Sequence, residues 1–175
     1  MAGKVIDDRN GHAGDGRPRL SVVVPVRNGE RTIGRCLDAL FGSTHPSFEV
    51  VVADDHSCDG TGDIVRRYPC RLVRLPDGRQ GAAAARNAGA AAARGRVLFF
   101  TDADCLVLPT TLARAEAAVT GPRIAAGGTY TPEPADASSF YSRFQSVFVH
   151  CAESRRPQAP DYLATHALAL TAATF

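Results

Sequence analysis

Hydrophobic and polar positions fall in alternating blocks along this chain. Leu20-Ser21-Val22-Val23-Val24-Pro25-Val26 is β-branched and almost wholly apolar, which predicts a strand buried on both faces. Pro25 has no N–H to give a ladder, so it belongs near the end of the paired stretch. Arg27-Asn28-Gly29-Glu30 reads as a loop, and Ile33, Leu37, Leu40 and Phe41 recur at helical spacing, predicting a helix over 30–41. The cycle then repeats. Residues 48–53 predict a second strand ending on Asp54-Asp55, followed by a loop from His56 to Thr61 rich in N-cap residues and a short helix through Ile64, Val65 and Tyr68. Residues 70–75 predict a third strand, closed by Pro76-Asp77-Gly78. Residues 81–94 predict an Ala-rich helix stopped by Gly95, its small side chains letting it sit close to a sheet. Gly89 inside it is expected to be tolerated at about 1 kcal/mol relative to Ala. The unbroken run Val97-Leu98-Phe99-Phe100 predicts a fourth buried strand, continuing as extended chain into Asp102 and Asp104.

Beyond Pro109 the pattern weakens. Leu112, Ala115 and Val119 suggest a helix, and residues 123–128 a further strand. Phe140, Phe144, Val147, Phe148 and Cys151 share one helical stripe, read most simply as a core face, with an acceptor or membrane-surface patch as the alternative. Residues 1–19 mix Gly, Asp, Arg and Asn without periodicity and predict a disordered leader. Strand–helix alternation from Leu20 onward predicts a single α/β domain, its mostly parallel sheet flanked by helices.

Composition narrows the class without naming a function. The chain has 175 residues, 45% hydrophobic and 22% charged, enough for one domain with a substantial core. A net charge of +2 gives no support for a nucleic-acid partner. Five scattered cysteines without CxxC spacing predict neither a disulfide framework nor a zinc site, and reduced cytosolic thiols fit them best. No apolar run is as long as a membrane span, and the polar N-terminus does not read as a signal peptide.

The candidate chemistry collects where a parallel sheet places its ligand crevice, beyond the carboxyl ends of the strands. Asn28 and Glu30 follow the first strand, Asp54 and Asp55 the second, Asp102 and Asp104 the fourth. In extended chain, residues i and i+2 project to one side, so Asp102 and Asp104 would aim two carboxylates at one point. Such a pair repels itself unless a cation lies between, and hard oxygen ligands suit Mg²⁺ or Mn²⁺, especially beside a substrate diphosphate. A solvated turn after a core strand would use the same residues. No G-x-G-x-x-G follows the first strand, and there is no Walker-type Gly-Lys-Ser/Thr.

VVVPVRNGE at 22–30, VVADDHSCDGT at 51–61 and GAAAARNAGAAAARGRVLFFTDADC at 81–105 together resemble the nucleotide-sugar half of an inverting family-2 glycosyltransferase with the GT-A, Rossmann-like fold. The resemblance implies a domain over 20–175, with a nucleotide-sugar half over 20–119 and the start of an acceptor half over 120–175. It implies that Asp55 or Asp54 binds the nucleobase, in a pocket lined by Pro25 and Val26. Asn28 and Glu30 belong to the donor loop, and Asp102 lies near ribose and sugar. Asp104, with Asp102, ligates Mn²⁺ or Mg²⁺. Arg86 and Asn87 match the family's Arg-Asn pair, Arg86 steadying the diphosphate or the acid cluster through its bidentate fork. His56 stands where relatives usually carry Gly, which would narrow the base pocket or alter its choice of nucleotide.

Residues 161–170 resemble the family strand that precedes the catalytic base, with His166 and Thr171 where relatives more often have Asn and Arg. No residue matches the base itself; Glu153 and Asp161 are nearby acids in no matching context. The implied partners are a nucleotide-sugar donor, UDP-sugar favoured, and an acceptor saccharide, lipid-linked sugar or other hydroxyl. The implied setting is cytoplasmic cell-envelope polysaccharide synthesis, with possible peripheral contact at the inner face of the membrane. Two readings stand: a metal-assisted inverting transferase, and a nucleotide-sugar-binding or partner-binding remnant that does not turn over.

Overall fold

The computed structural model describes residues 16–78, 80–134, 140–154 and 164–175. Six strands form one sheet: β1 (Leu20–Val26), β2 (Phe48–Asp54), β3 (Arg71–Arg74), β4 (Val97–Phe100), β5 (Ala125–Gly127) and β6 (Leu168–Thr171). Their spatial order is β3-β2-β1-β4-β6-β5. β1 pairs in parallel with β2 and β4, and β2 with β3, while β6 runs antiparallel to both β4 and β5. The helices are α1 (Ile33–Phe41), α2 (Thr61–Val65), α3 (Ala82–Ala92), α4 (Thr111–Ala118) and α5 (Phe140–Glu153), with a 3₁₀ turn over Thr165–Ala167.

The unbroken apolar strands are central because both of their faces are covered. Val22, Val24, Val50 and Val52 pack against Ile33, Leu37 and Leu40 of α1 and against Leu112 of α4. On the opposite face, Val23, Leu98 and Phe100 meet Ala90, and Ala53 meets Ala85, both on α3. α3 lies so close that a Cβ on Gly89 would sit 2.5 Å from Val23 Cγ1. Gly89 is therefore required by the helix–sheet approach rather than merely tolerated, which corrects the sequence expectation.

Other expectations shift with the partners the chain finds. α1 begins at Ile33 instead of residue 30, since Gly29 O accepts from the N–H groups of Thr32 and Ile33 in a preceding turn. Pro25 does lie past the β4 pairing, which ends at Val23, with Pro25 opposite Ala53 of β2. β4 stops at Phe100, so Asp102 and Asp104 are not delivered by strand alternation: Cys105 N–H closes a turn on Asp102 O at 3.1 Å. The helical stripe read as a core face is exposed on α5, with Phe144 55%, Val147 47% and Phe148 60% accessible. Periodicity reports that a helix is amphipathic, not what covers its apolar side. Of the predicted leader, residues 1–15 lie outside the described residues, and Arg19 is fixed, bonded to Ser47 and Glu116. Asp161 also lies outside them. No helix among the described residues is long and apolar enough to cross a membrane.

Candidate functional site

The carboxyl ends of β1, β2 and β4 carry the predicted polar residues, and the structure sorts them into two groups. The first laces loops together. Asn28 Oδ1 accepts the Cys58 N–H at 2.9 Å, and Asn28 N–H donates to Ser57 Oγ at 2.9 Å. Glu30 Oε2 accepts the Gly60 N–H at 2.9 Å, and Gly29 N–H donates to Thr61 Oγ1 at 2.8 Å. Asn28 takes φ +51°, a left-handed conformation that Asn tolerates better than most residues. The side chains of Asn28 and Glu30 thus join the loop after β1 to the loop after β2, a scaffolding contact invisible until both loops are adjacent.

The second group comprises the acids at the ends of β2 and β4 and the residues packed around them. Asp54 is buried, accepting the Ser57 N–H at 3.0 Å and lying 3.6 Å from Arg74 Nε. Asp55, 4% exposed, accepts the Gly81 N–H at 2.9 Å through Oδ2 and lies 3.2 Å from His56 Nδ1 through Oδ1. The Gly81 hydrogen bond holds its carboxyl below the usual carboxylate range, against burial and with help from His56 and Arg27. Pro25 and Val26 are buried at the end of β1. From α3, Arg86 turns inward and donates to Asp102 Oδ1 at 2.6 Å, while Asn87 is exposed. Beneath this turn, the buried Cys36 thiol lies 3.6 Å from Asp102 O and is pushed up to about 12, chiefly by burial.

A cavity of about 660 Å³ opens on the β4–β6 side of this cluster, lined by Thr32, Thr101, Asp104, Tyr130 and His166 among others. It reaches Asp104 but not Asp54 or Asp55. Thr101 Oγ1 and His166 Nε2 on its lining, and Arg86 Nε on α3, are buried without a hydrogen-bond partner among the described residues. Unsatisfied groups of this kind are costly unless a ligand completes them.

Sequence reasoning missed Tyr130, which lines the cavity beside His166. Tyr130 stacks on His166 with centroids 4.5 Å apart, its hydroxyl lies 3.5 Å from Cys105 Sγ, and His166 Nε2 lies 3.5 Å from Glu153 Oε2. Burial pushes the Tyr130 hydroxyl up. Tyr130 sits in irregular chain after β5, where no periodic signal could have marked it.

Among the described residues, no group of three or more His, Cys, Asp or Glu side chains is arranged to hold a metal ion. Asp102 and the exposed Asp104 instead offer two hard carboxylates beside unsatisfied donors. That set fits a Mg²⁺ or Mn²⁺ ion taking its remaining ligands from water and substrate phosphates, not an all-protein cage.

Residues 21–169 match the profile described as Glycosyl transferase family 2. The chain belongs to that family. Among curated proteins, glycosyltransferase AglE of Haloferax volcanii is 36% identical over 110 residues, covering 59% of this chain and 36% of AglE. The mannosyltransferase PcManGT from Pyrobaculum calidifontis, solved with GDP-Man and Mn²⁺, superposes with a TM-score of 0.68 at 28% identity, over 89% of this chain and 45% of PcManGT. TarS 1-349 of S. aureus, solved with UDP-GlcNAc, gives 0.56 at 30% identity, over 65% of this chain and 34% of TarS. The two solved neighbours are GT-A glycosyltransferases, and this chain shares their mostly parallel sheet flanked by helices. The chain spans less than half the length of each of these three relatives.

Proposed function

We propose that this family-2 chain binds a nucleoside-diphosphate sugar and serves its transfer, with inversion, to an acceptor hydroxyl. The observation that carries the reading is the Arg86–Asp102 contact at 2.6 Å two residues before Asp104, which lines the cavity, with the buried Thr101 hydroxyl and Arg86 Nε both left without partners. In this reading Asp55 or Asp54, with Pro25 and Val26, receives the nucleobase. Asn28 and Glu30 shape the donor loop by tying it to the loop after β2. Asp102 orients ribose and sugar, and Arg86 steadies the diphosphate with the nitrogens it does not give to Asp102.

Asp104, with Asp102, would hold Mn²⁺ or Mg²⁺. Bound there, the cation supplies Lewis-acid neutralisation of the departing diphosphate. PcManGT, solved with Mn²⁺ and GDP-Man, and TarS, solved with UDP-GlcNAc, support a metal-assisted nucleotide-sugar reading. The acceptor is a saccharide, a lipid-linked sugar or another hydroxyl. The setting is cytoplasmic, and the exposed Phe144, Val147 and Phe148 of α5 suit peripheral contact with the inner face of a membrane.

Calorimetry of UDP and GDP with and without Mn²⁺ tests the reading. Asp104→Asn is expected to lose the Mn²⁺-dependent part of the affinity, about tenfold or more, with metal-free binding retained. Equal Mn²⁺ dependence in wild type and variant would overturn the metal assignment. Sugar transfer by the chain separates the enzyme from the remnant that binds without turnover.

A further inference from the structure

The 3₁₀ turn over Thr165–Ala167 is tied to the loop after β5 by the Gly128 N–H, which donates to Ala167 O at 2.7 Å. α5 is fastened to the same loop by His150, whose Nδ1 lies 2.8 Å from Tyr130 O. Three residues further along α5, Glu153 places Oε2 3.5 Å from His166 Nε2 in the 3₁₀ turn. The two side chains are only 12% and 14% exposed, and neither of these atoms has a hydrogen-bond partner among the described residues. Tyr130 stacks on the imidazole at 4.5 Å, its ring 19° from parallel.

An ionised carboxylate only accepts hydrogen bonds, so beside Glu153 the neutral imidazole carries its proton on Nε2 and keeps its lone pair on Nδ1. His166 lines the cavity and Glu153 does not, which leaves Nδ1 as the ring nitrogen that can accept from a ligand. The same cavity presents the hydroxyls of Thr101, Thr129, Thr131 and Ser146, and Thr101 is 1% exposed with its Oγ1 unpartnered. Its other charged groups are Arg35, Asp104 and Glu133. An aromatic stack among several hydroxyls suits a polyhydroxyl ligand. Leaving Glu153 Oε2 and His166 Nε2 unsatisfied costs stability, which a purely structural contact would avoid by closing the bond. A hydroxyl donating to Nδ1 draws positive charge onto the ring and strengthens the pull of Nε2–H on Glu153, so a bound ligand completes the pair.

We propose that His166 receives a hydroxyl of the acceptor sugar on Nδ1, with Glu153 behind it as the positioning residue that fixes its tautomer. The inference rests on the transferase reading above and adds which side chains meet the acceptor.

The test compares the full chain with His166→Phe and Glu153→Gln. Phenylalanine keeps a ring against Tyr130 and removes both nitrogens, while glutamine keeps the shape and brings an amide able to donate to Nε2. Imidazole ¹⁵N NMR at pH 8, above the ordinary imidazole range, reads the tautomer, with His166 identified as the signal lost in His166→Phe. Wild type is expected to hold the Nε2–H form and Glu153→Gln to raise the Nδ1–H fraction, a change that a merely structural Glu153 would not produce. Calorimetry then follows methyl glucoside added to protein loaded with UDP and Mn²⁺. Both variants are expected to bind methyl glucoside about threefold to tenfold more weakly, as for one lost hydrogen bond. UDP affinity is expected to stay within about twofold, since the donor residues are not altered. An Nδ1–H tautomer in wild type, equal methyl glucoside affinity in wild type and both folded variants, or no methyl glucoside binding by a wild type that holds UDP overturns the inference and leaves donor binding intact. Failure of wild type to bind UDP overturns this inference and the transferase reading together.

Discussion

Replacing Gly89 with alanine sets two effects of opposite sign against each other. In an unconstrained helix interior, alanine is favoured by about 1 kcal/mol. At position 89 the new Cβ would lie 2.5 Å from Val23 Cγ1 and 3.4 Å from Ala53 Cβ. Carbon atoms rest at about 3.5–4.0 Å, so the shortfall at Val23 is at least about 1 Å. Val23 is fully buried and branched at Cβ, leaving it little freedom to turn aside. α3 must therefore lift from the sheet. Overpacking costs about 1–3 kcal/mol, and against a rigid, fully buried neighbour the upper part of that range applies, about 2–3 kcal/mol, which less the helix preference leaves a net loss of about 1–2 kcal/mol. For a chain of this length, at about 2–4 °C per kcal/mol, that lowers Tm by about 2–8 °C. Arg86 lies one turn before Gly89 on the same helix, so the lift also pulls it away from Asp102, and nucleotide affinity should fall with stability. Urea unfolding followed by circular dichroism gives the free energy. Ala91→Gly, at an exposed position of α3, is the control and should lose about 1 kcal/mol from propensity alone. A Gly89→Ala chain as stable as wild type, or more so, would refute the close-approach argument.

Glu116 offers a second test, in pH. Burial raises its pKa, but hydrogen bonds from Arg19 and His45 outweigh that and leave it lowered, as the Gly81 hydrogen bond leaves Asp55 lowered. A depressed carboxylate stabilises the fold above its unfolded pKa. That contribution should therefore be complete above about pH 4.5 and fade as pH falls through the folded values. Glu116→Ala is expected to cost about 1–2 kcal/mol at pH 7, the lower end reflecting the solvent around Arg19, and to flatten the acid limb of the stability curve. A limb of unchanged slope would count against it. The thiols give a third. Cys58 and Cys151 are exposed, Cys36 and Cys105 are buried, and burial pushes Cys36 up to about 12 and also raises Cys105. At pH 8, two thiols should react quickly with a thiol reagent and Cys36 and Cys105 only on unfolding; fast modification of Cys36 in the native chain contradicts the packing beneath Asp102.

The four parallel strands and α1 to α4 were legible because each is a local pattern: unbroken β-branched runs, or apolar residues at helical spacing. The acidic rim was legible for the same reason, since every polar cluster followed a strand directly. What escaped depended on neighbours distant in sequence. Asn28 and Glu30 read as donor contacts, but each spends a side-chain oxygen on the loop after β2. Gly89 read as a small penalty until Val23 was seen beneath it. Asp102 and Asp104 read as strand neighbours, yet a turn delivers them. The exposed stripe of α5 and the stacking of Tyr130 on His166 needed the tertiary arrangement itself.

The reversed strand β6 has a consequence for how the chain is made. Among the described residues, β5, at 125–127, pairs only with β6, at 168–171, which also covers the side of β4 turned away from β1. During synthesis the first four strands can assemble in order. Meanwhile the β4 edge waits, open and apolar, for a segment still to leave the ribosome. Such an edge invites pairing with another chain. Slow translation between 128 and 168 would lengthen that vulnerable interval, and misassembly during expression should concentrate at β4.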